Sequence, residues 1–533
     1  MSRLATLALY ACLCAAAAPA CSSNEGDPGR DVGDAGPLVE SDAATGDADG
    51  SDASFDGPDA SDAPDAATQP DASDCAAFDD SLSPLGALTV LRDCARSNAD
   101  ANAKEAALDE FVDFVEARGG FPIVEAGQIA FVYLDREHFD AEDDTHDSAE
   151  DWAPGRRGAP IEVAGDFNDW APGTEARFEE LWDGVFTCAL TLTPSPESRW
   201  RYKFKARDTA GAEVWFSDPL SRRFEYDENG RISLVRGGTT KGHLERWRAF
   251  ESAHVAARDL YLYLPPGYDA GSARYPVLYM HDGNNLFDTR QPRSAGASWD
   301  VDGVEELELA AGNVRAHIVV GIPNTDARFD EYTHVADTIE WEGRQQVLGG
   351  QGEAYARFLV EEVKPAVDSR YRTSPDKANT AILGSSLGGL ISYYVAWRFP
   401  ETFQFVGGMS GTFGWGYFRG ETRVIDLYAG VSDLSARGHV YYLDAGGTYP
   451  EGGCPAEGSY DGIGDDELCD VDRMKATLEA KGINRYPNDA NSFPVEPGDA
   501  NIYHYWEPGA PHSESAWNAR LYRALRFFFP NRQ

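Results

Sequence analysis

The stretch ANTAILGSSLGGLISYYVAWRFP, residues 378–400, changes its periodicity at one short turn. Ala381-Ile382-Leu383 is a brief apolar run of the kind that forms a buried strand. Gly384-Ser385-Ser386-Leu387-Gly388-Gly389 follows, and a helix-like apolar pattern then runs to Trp397. A strand, a tight glycine turn and a helix form the context in which the serine of Gly-x-Ser-x-Gly is lifted above a sheet as a nucleophile. Side chains at Gly384 and Gly388 are expected to collide with the adjoining strand and helix. The turn would also aim the Leu387 backbone N–H at a developing oxyanion, with the helix N-terminus behind it. Ser386 is therefore the candidate nucleophile, and Ser385 holds the variable position. The bland alternative is a small residue in a glycine-rich turn.

Working outward, residues 240–533 alternate apolar runs with helical stretches. The runs are YPVLYMHDG (275–283), HIVVGIPN (317–324), TAILGSS (380–386), FQFVGGMSG (403–411), HVYYLDAGG (439–447) and NIYHYWEPG (501–509). GEAYARFLVEEVKPAVDSRY (352–371) and VDRMKATLEAKG (471–482) have helical spacing. RDLYLYLPPGY (258–268) reads as an arm of a β-hairpin. This alternation predicts a mainly parallel sheet covered by helices on both faces, an α/β-hydrolase architecture with functional residues at the carboxyl ends of strands.

A serine nucleophile needs a base, and only His439, His504 and His512 follow Ser386. His439 opens a strand and His504 lies inside one. His512 is in the loop EPGAPHSESAW before the terminal helix, where a base can hang over the serine. The acid that orients it should follow HVYYLDAGG and precede the helix near Val471. That loop holds Glu451, Glu457, Asp461, Asp465, Asp466, Glu467 and Asp470. Asp466 comes first in order of expectation, with Asp470 and Glu451 as alternatives. The turn HDGNNLF (281–287) should supply the second oxyanion donor, the Asn284 backbone N–H, beside that of Leu387. No HExxH string or CxxC pair suggests a metal, and no cofactor is expected.

The 533 residues carry a formal charge of −43, much of it within residues 22–74. Such a chain repels phosphate backbones, so nucleic acid is not an expected partner. Residues 1–21 read as an export signal. Ala18-Pro19-Ala20-Cys21 before a polar tract resembles a bacterial lipoprotein signal with Cys21 lipidated, although Ala18 stands where a leucine is usual. A lipid would be the chain's only membrane attachment, and the protein would be a surface, outer-membrane or periplasmic lipoprotein, or otherwise secreted. Residues 22–74, rich in Asp, Ala, Gly, Ser and Pro, read as a disordered tether. Residues 75–119 are expected to be helical. Cysteine spacing suggests Cys75–Cys94 and Cys454–Cys469 disulfides, with Cys188 left as a buried thiol.

Residues 120–236 switch to period two and read as a small all-β sandwich with an acidic insertion at 136–158. VAGDFNDW (163–170), YKFKA, WFSDPLSRR (215–223) and DENGRISL (227–234) resemble the early-set immunoglobulin-like domains that precede glycogen-branching enzymes and some esterases. That resemblance implies possible glycan contacts at Trp170, Trp200, Lys203 and Trp215. The other implication is aromatic packing alone.

LYMHDGNNLFD (278–288), ASWDVDG (297–303), IVVGIPNTDARFDEYT (318–333), ILGSSLGGL (382–390) and GAPHSESAW (509–517) together resemble an esterase family of α/β hydrolases. It includes feruloyl and acetylxylan esterases, enterobactin-type siderophore esterases, S-formylglutathione hydrolases and antigen 85-like mycolyltransferases. The resemblance implies Ser386 as nucleophile, His512 as base, and Asn284 and Leu387 as oxyanion donors. Acids placed late in the loop, as in the mycolyltransferases, favour Asp466 or Asp470. Acids close to a Gly-Thr pair favour Glu451. The implied activity is hydrolysis of carboxylic esters, feruloyl or acetyl, on polysaccharides or small molecules. A siderophore esterase and a non-catalytic glycan-binding surface lipoprotein are the alternatives.

Overall fold

The computed structural model describes residues 75, 78–135, 160–182, 184–207, 211–291, 297–341, 344–455, 465–486 and 501–531. The expected signal with Cys21, the 22–74 tract and the 136–158 insertion lie outside these residues.

Two helices open the described chain. Pro84–Ser97 is capped by Ser83, whose Oγ accepts from Gly86 N–H, and Ala101–Glu116 by Asp100 in the same way. Cys75 and Cys94 are joined. Leu88, Leu91, Phe111 and Val115 pack these helices onto one face of a four-stranded antiparallel sheet. Its strands are β1 (Ile123–Glu125), β2 (Gln128–Leu134), β4 (Glu179–Trp182) and β5 (Val185–Leu190), in the order β1-β2-β5-β4. The other face of that sheet carries Phe131, Tyr133 and Cys188 into a core with Val163, Tyr202, Phe204 and Phe216. Those partners come from β3 (Glu162–Gly165), β6 (Arg199–Arg207) and β7 (Glu213–Phe216). Among the described residues Cys188 is the free cysteine; it is buried, and burial pushes its thiol up to about 12.

The second layer of this sandwich continues into the parallel sheet of residues 240–533. A single 13-stranded sheet runs in the order β19-β18-β17-β16-β12-β13-β11-β10-β8-β9-β6-β3, with β7 beside β6. Strands β8 (Arg223–Asp227) and β9 (Gly230–Gly237) belong to the sandwich, and β10 (His243–Phe250) joins them to β11 (Arg258–Leu264). From there β13 (Ile318–Ile322), β12 (Val277–His281), β16 (Thr380–Ser385), β17 (Phe405–Met409), β18 (Val440–Ala445) and β19 (Ile502–Trp506) run parallel. The small hairpin β14 (Ala336–Trp341) and β15 (Arg344–Gly349) stands apart.

The parallel strands are buried on both faces, which is why they read as unbroken apolar runs. Alternate residues divide between two cores. Tyr279, Ile382 and Val406 meet the Leu387–Arg398 helix, whereas Met280, Leu383 and Met409 meet the Glu514–Phe528 helix. The helix expected at 352–371 is interrupted. Gly352–Arg357 and Lys364–Arg370 are α-helical, and Phe358–Val363 widens to i→i+5 turns. Pro365 explains this, since it brings no N–H and crowds the carbonyl one turn back.

Candidate active site

Ser386 links β16 to the Leu387–Arg398 helix at φ 54°, ψ −125°. A non-glycine residue held there costs about 1–3 kcal/mol and persists only when its surroundings over-determine it. Here they do. Its N–H donates to Met409 C=O at 3.0 Å, and its own C=O accepts from Gly389, Leu390 and Thr412 N–H at 3.1, 3.2 and 3.1 Å. A Cβ on Gly384 would lie 2.6 Å from the Gly388 carbonyl carbon, so this close approach of strand and helix needs glycine. Gly388 differs from expectation, because a Cβ there would meet His281 and Asp282 side chains at 3.3 and 3.4 Å, a tight fit rather than a collision. The Ser386 hydroxyl is buried and lies 3.4 Å from Thr412 Oγ1.

His512 Nδ1 lies 2.8 Å from Asp466 Oδ1. The opposite oxygen, Oδ2, accepts from Ser410 Oγ at 2.8 Å, from Arg520 Nη2 at 3.3 Å and from Gly446 N–H. With Gly446 N–H, Ser410 and the Arg520 cation all on Oδ2, Asp466 stands as a carboxylate, and a carboxylate at Oδ1 takes the Nδ1–H tautomer of His512. Nε2 is then the lone-pair nitrogen able to take a proton. Asp466 and Glu467 stand in left-handed backbone (φ 61° and 58°) just before the Leu468–Ala480 helix. That kink breaks the helical path and turns Asp466 toward the ends of β17 and β18. Gly446 completes the fit, since a Cβ there would sit 2.2 Å from Ala510 O and 2.5 Å from Asp466 Oδ2. The bonds Gly447 N–H to Ala510 O and Gly509 N–H to Gly447 O, both 2.8 Å, tie the His512 loop to the same turn.

The other acid candidates point elsewhere. Asp470 is buried and accepts from Gly414 N–H at 2.8 Å and Arg473 at 2.9 Å. Glu451 is exposed. Glu457 and Asp461 lie outside the described residues. Cys454 and Cys469 are joined three residues past Asp466. His439 and His504 are core groups, with burial pushing both imidazoles down to about 3.

Asn284 lies in the short turn Gly283–Asn285 after β12, and Leu387 is the first residue of its helix, whose N–H has no intrahelical acceptor. Asp282 leads into the Asn284 turn at φ 57°. Its side chain accepts from Arg328 at 2.7 and 2.9 Å and from Asn324 Nδ2 at 2.6 Å. The Arg328 cation holds its carboxyl below the ordinary range against the effect of burial. Glu514 ties this turn to the His512 loop by accepting from Asn285 Nδ2 at 3.1 Å.

Sequence reasoning missed Asp282's partners, Ser410, Trp517 and Arg520. Trp517 stands edge-on to His512 at 4.9 Å and donates from Nε1 to Ser410 Oγ at 3.0 Å. Arg520 had a readable signal: a cation on the apolar face of the terminal helix, between Trp517 and Ala524, demands a buried anion.

The sandwich residues divide. Trp170 and Trp215 are half-buried with rings 6.3 Å apart, and Lys205 Nζ lies 5.4 Å from the Trp215 ring. Trp200 packs on the sandwich core near Phe167. Lys203 does not match the expectation of a sugar contact. It is buried under the β8–β9 turn, and its ammonium donates to Asn229 C=O at 3.0 Å.

A serine raised on a strand–turn–helix elbow, with a histidine–carboxylate pair on the same edge of a doubly covered sheet, defines an esterase-like α/β hydrolase. The chain belongs to the esterase family whose description reads "Putative esterase", matched over residues 256–528. It is 29% identical over 165 residues to "Uncharacterized protein YbbA" of Bacillus subtilis, covering 30% of this chain and 60% of that one. It is 29% identical over 157 residues to "Endo-1,4-beta-xylanase/feruloyl esterase" of Xylanibacter ruminicola, covering 28% and 19%. It is 29% identical over 142 residues to "Ferri-bacillibactin esterase BesA" of Bacillus subtilis, covering 25% and 46%. The chain thus spans less than two thirds of the length of these curated relatives. Among solved structures, a ferulic acid esterase aligns over 54% of this chain and 98% of its own, at 18% identity and a TM-score of 0.39.

Proposed function

We propose that this protein is an exported serine carboxylic-ester hydrolase. Ser386 Oγ attacks the ester carbonyl while His512 Nε2 takes its proton and passes it to the leaving alcohol. Water, deprotonated by the same nitrogen, then releases the acid from the acyl-enzyme and returns the proton to Ser386. Asp466 holds the imidazole tautomer, and the Asn284 and Leu387 N–H groups receive the oxyanion. The observation that carries this reading is the strained, over-determined Ser386 turn on the same strand ends as the His512–Asp466 pair.

Feruloyl or acetyl esters on polysaccharides are the proposed substrates. A relative's name supports this, as does the half-buried pair of Trp170, in the turn after β3, and Trp215, on β7 of the sheet that continues into the one carrying Ser386. We read that layer as an early-set immunoglobulin-like domain. The BesA relative supports siderophore esters as the second reading. The proposed site of action is the cell surface or periplasm, with Cys21 lipidated and residues 22–74 as a tether.

The test compares p-nitrophenyl acetate hydrolysis by the protein and by Ser386→Ala. Loss of a triad serine is expected to lower kcat about ten-thousand-fold or more. Equal weak rates in both would sink the assignment and favour a non-catalytic glycan-binding surface protein. A screen of feruloyl, acetyl-glycan and siderophore esters then separates the two substrate readings.

A further inference from the structure

Behind Asp466 lies a buried charge cluster that the reaction above does not use. Arg520, 1% exposed, directs its guanidinium at three carboxylates. Asp466 Oδ2 and Asp444 Oδ1 lie at 3.3 Å and Glu507 Oε2 at 3.5 Å. Asp444, at the end of β18, is fully buried and accepts from the Tyr442 hydroxyl at 2.7 Å. Ser410 is the junction. Its hydroxyl accepts from Trp517 Nε1 at 3.0 Å and Arg520 Nη2 at 3.1 Å, so its own proton goes to Asp466 Oδ2 at 2.8 Å. One cation is thus divided among carboxylates, of which Asp466 is the one bonded to His512.

We propose that Arg520 is a positioning residue for the His512–Asp466 pair, and that Asp444 governs how much of the Arg520 charge that pair feels. The inference rests on the reading of His512 as the base. Arg520 holds one face of Asp466 and opposes a positive imidazolium beyond it. Asp444 draws part of that positive charge away. Removing the Asp444 carboxylate returns the charge to the pair, disfavours imidazolium and makes His512 lose its proton at lower pH. Removing the Arg520 charge favours imidazolium and moves the same event to higher pH. Packing alone would not produce shifts of opposite sign. The groups facing the cluster are Asp444 and Tyr442 from β18, Glu507 and Tyr503 from β19 and its end, Asp466, and His512 with Glu514 beside it. Arg523, on Arg520's own helix, bonds Tyr503.

The experiment uses the full chain with Asp444→Asn, Arg520→Gln and Arg520→Lys. The His512 ring is titrated by NMR with 13C-labelled histidine, assigned by its loss in His512→Gln. In parallel, the acid limb of kcat/KM for p-nitrophenyl acetate is measured. Asp444→Asn is expected to move both midpoints down and Arg520→Gln to move both up, each by roughly half to one pH unit. Arg520→Lys should keep the midpoint near that of the parent while lowering kcat several-fold, because a compact ammonium lacks the planar guanidinium whose Nη2, Nε and Nη1 face Asp466, Asp444 and Glu507 separately. Shifts of one sign, or none, in folded variants overturn the proposal. Should Arg520→Gln not fold, the downward shift in Asp444→Asn decides alone. Failure of the esterase reading appears separately, as a parent protein that neither hydrolyses ester nor accepts a fluorophosphonate label at Ser386, while the NMR titration still decides the coupling.

Discussion

At Ser386 the backbone adopts a geometry that serine resists, and four main-chain hydrogen bonds hold it there. Tightness of this kind makes neighbouring positions intolerant. Gly384→Ala is expected to destabilise the protein by about 1–3 kcal/mol through overpacking against Gly388, measured by urea unfolding. The acid can be tested in the same spirit. Asp466→Asn should lower kcat by about a thousand-fold or more, because it disturbs the His512 tautomer, with KM nearly unchanged. Asp470→Asn, facing Gly414 and Arg473, should leave most of the activity; equal losses in the two would reject Asp466 as the orienting group. A third test concerns charge outside the site. Burial, reinforced by Asp300, raises the Asp302 carboxyl to about 7. A group raised this far above its unfolded value stabilises the fold most at low pH and loses that contribution as pH rises through about 7. Asp302→Asn should therefore gain melting temperature relative to the parent between pH 5 and pH 8, and a constant difference across that range would contradict the sign.

At the scale of elements, Asp466 is held by a kink and a clamp. The Leu468–Ala480 helix begins only after two left-handed residues, and the Cys454–Cys469 bond fixes the segment beside them. The bond closes a loop 15 residues long, for which chain entropy gives about 3 kcal/mol. Cys454→Ser with Cys469→Ser is expected to reduce kcat several-fold at temperatures where circular dichroism still shows a folded protein. Full activity in the double variant would mean that the kink alone suffices.

At the scale of the whole molecule, the sandwich and the hydrolase region share one sheet, and the seam is charged. Glu245 on β10 is buried with Arg222 at 2.6 Å, Arg223 at 3.3 Å and the Tyr371 hydroxyl at 2.9 Å. The two arginines hold its carboxyl well below the ordinary range in spite of burial. Arg222→Met would remove the shorter of the two arginine contacts and leave the buried carboxylate to Arg223 and Tyr371, at a cost of about 1.5–3 kcal/mol. Because β10 pairs with both regions, calorimetry of the parent should show one cooperative transition through the seam. Two well-separated transitions, with Arg222→Met affecting neither, would mean that the regions fold independently.

Local pattern alone made much of this legible. The runs at 275–283, 317–324, 380–386, 403–411, 439–447 and 501–509 announce parallel strands because strands covered on both faces must be apolar throughout. The glycine turn at 384–388 and the lone loop histidine after the last strand mark their places by composition. Which carboxylate meets His512 was not local information. Seven acids crowd one loop, and the pairing depends on a backbone kink and on Gly446 letting two loops close on Asp466. The roles of Ser410, Trp517 and Arg520 were equally hidden, since they come from different elements and meet only when the terminal helix docks. Lys203, implied as a glycan contact, is covered by the β8–β9 turn, and the helical spacing of 352–371 is interrupted by wider turns ahead of Pro365. Sequence determined the elements and the Gly-Ser turn at 384–388, which depend on neighbours in the chain. Tertiary structure decided the partners of every buried charge, because a buried charge is set by what packs around it from far along the chain.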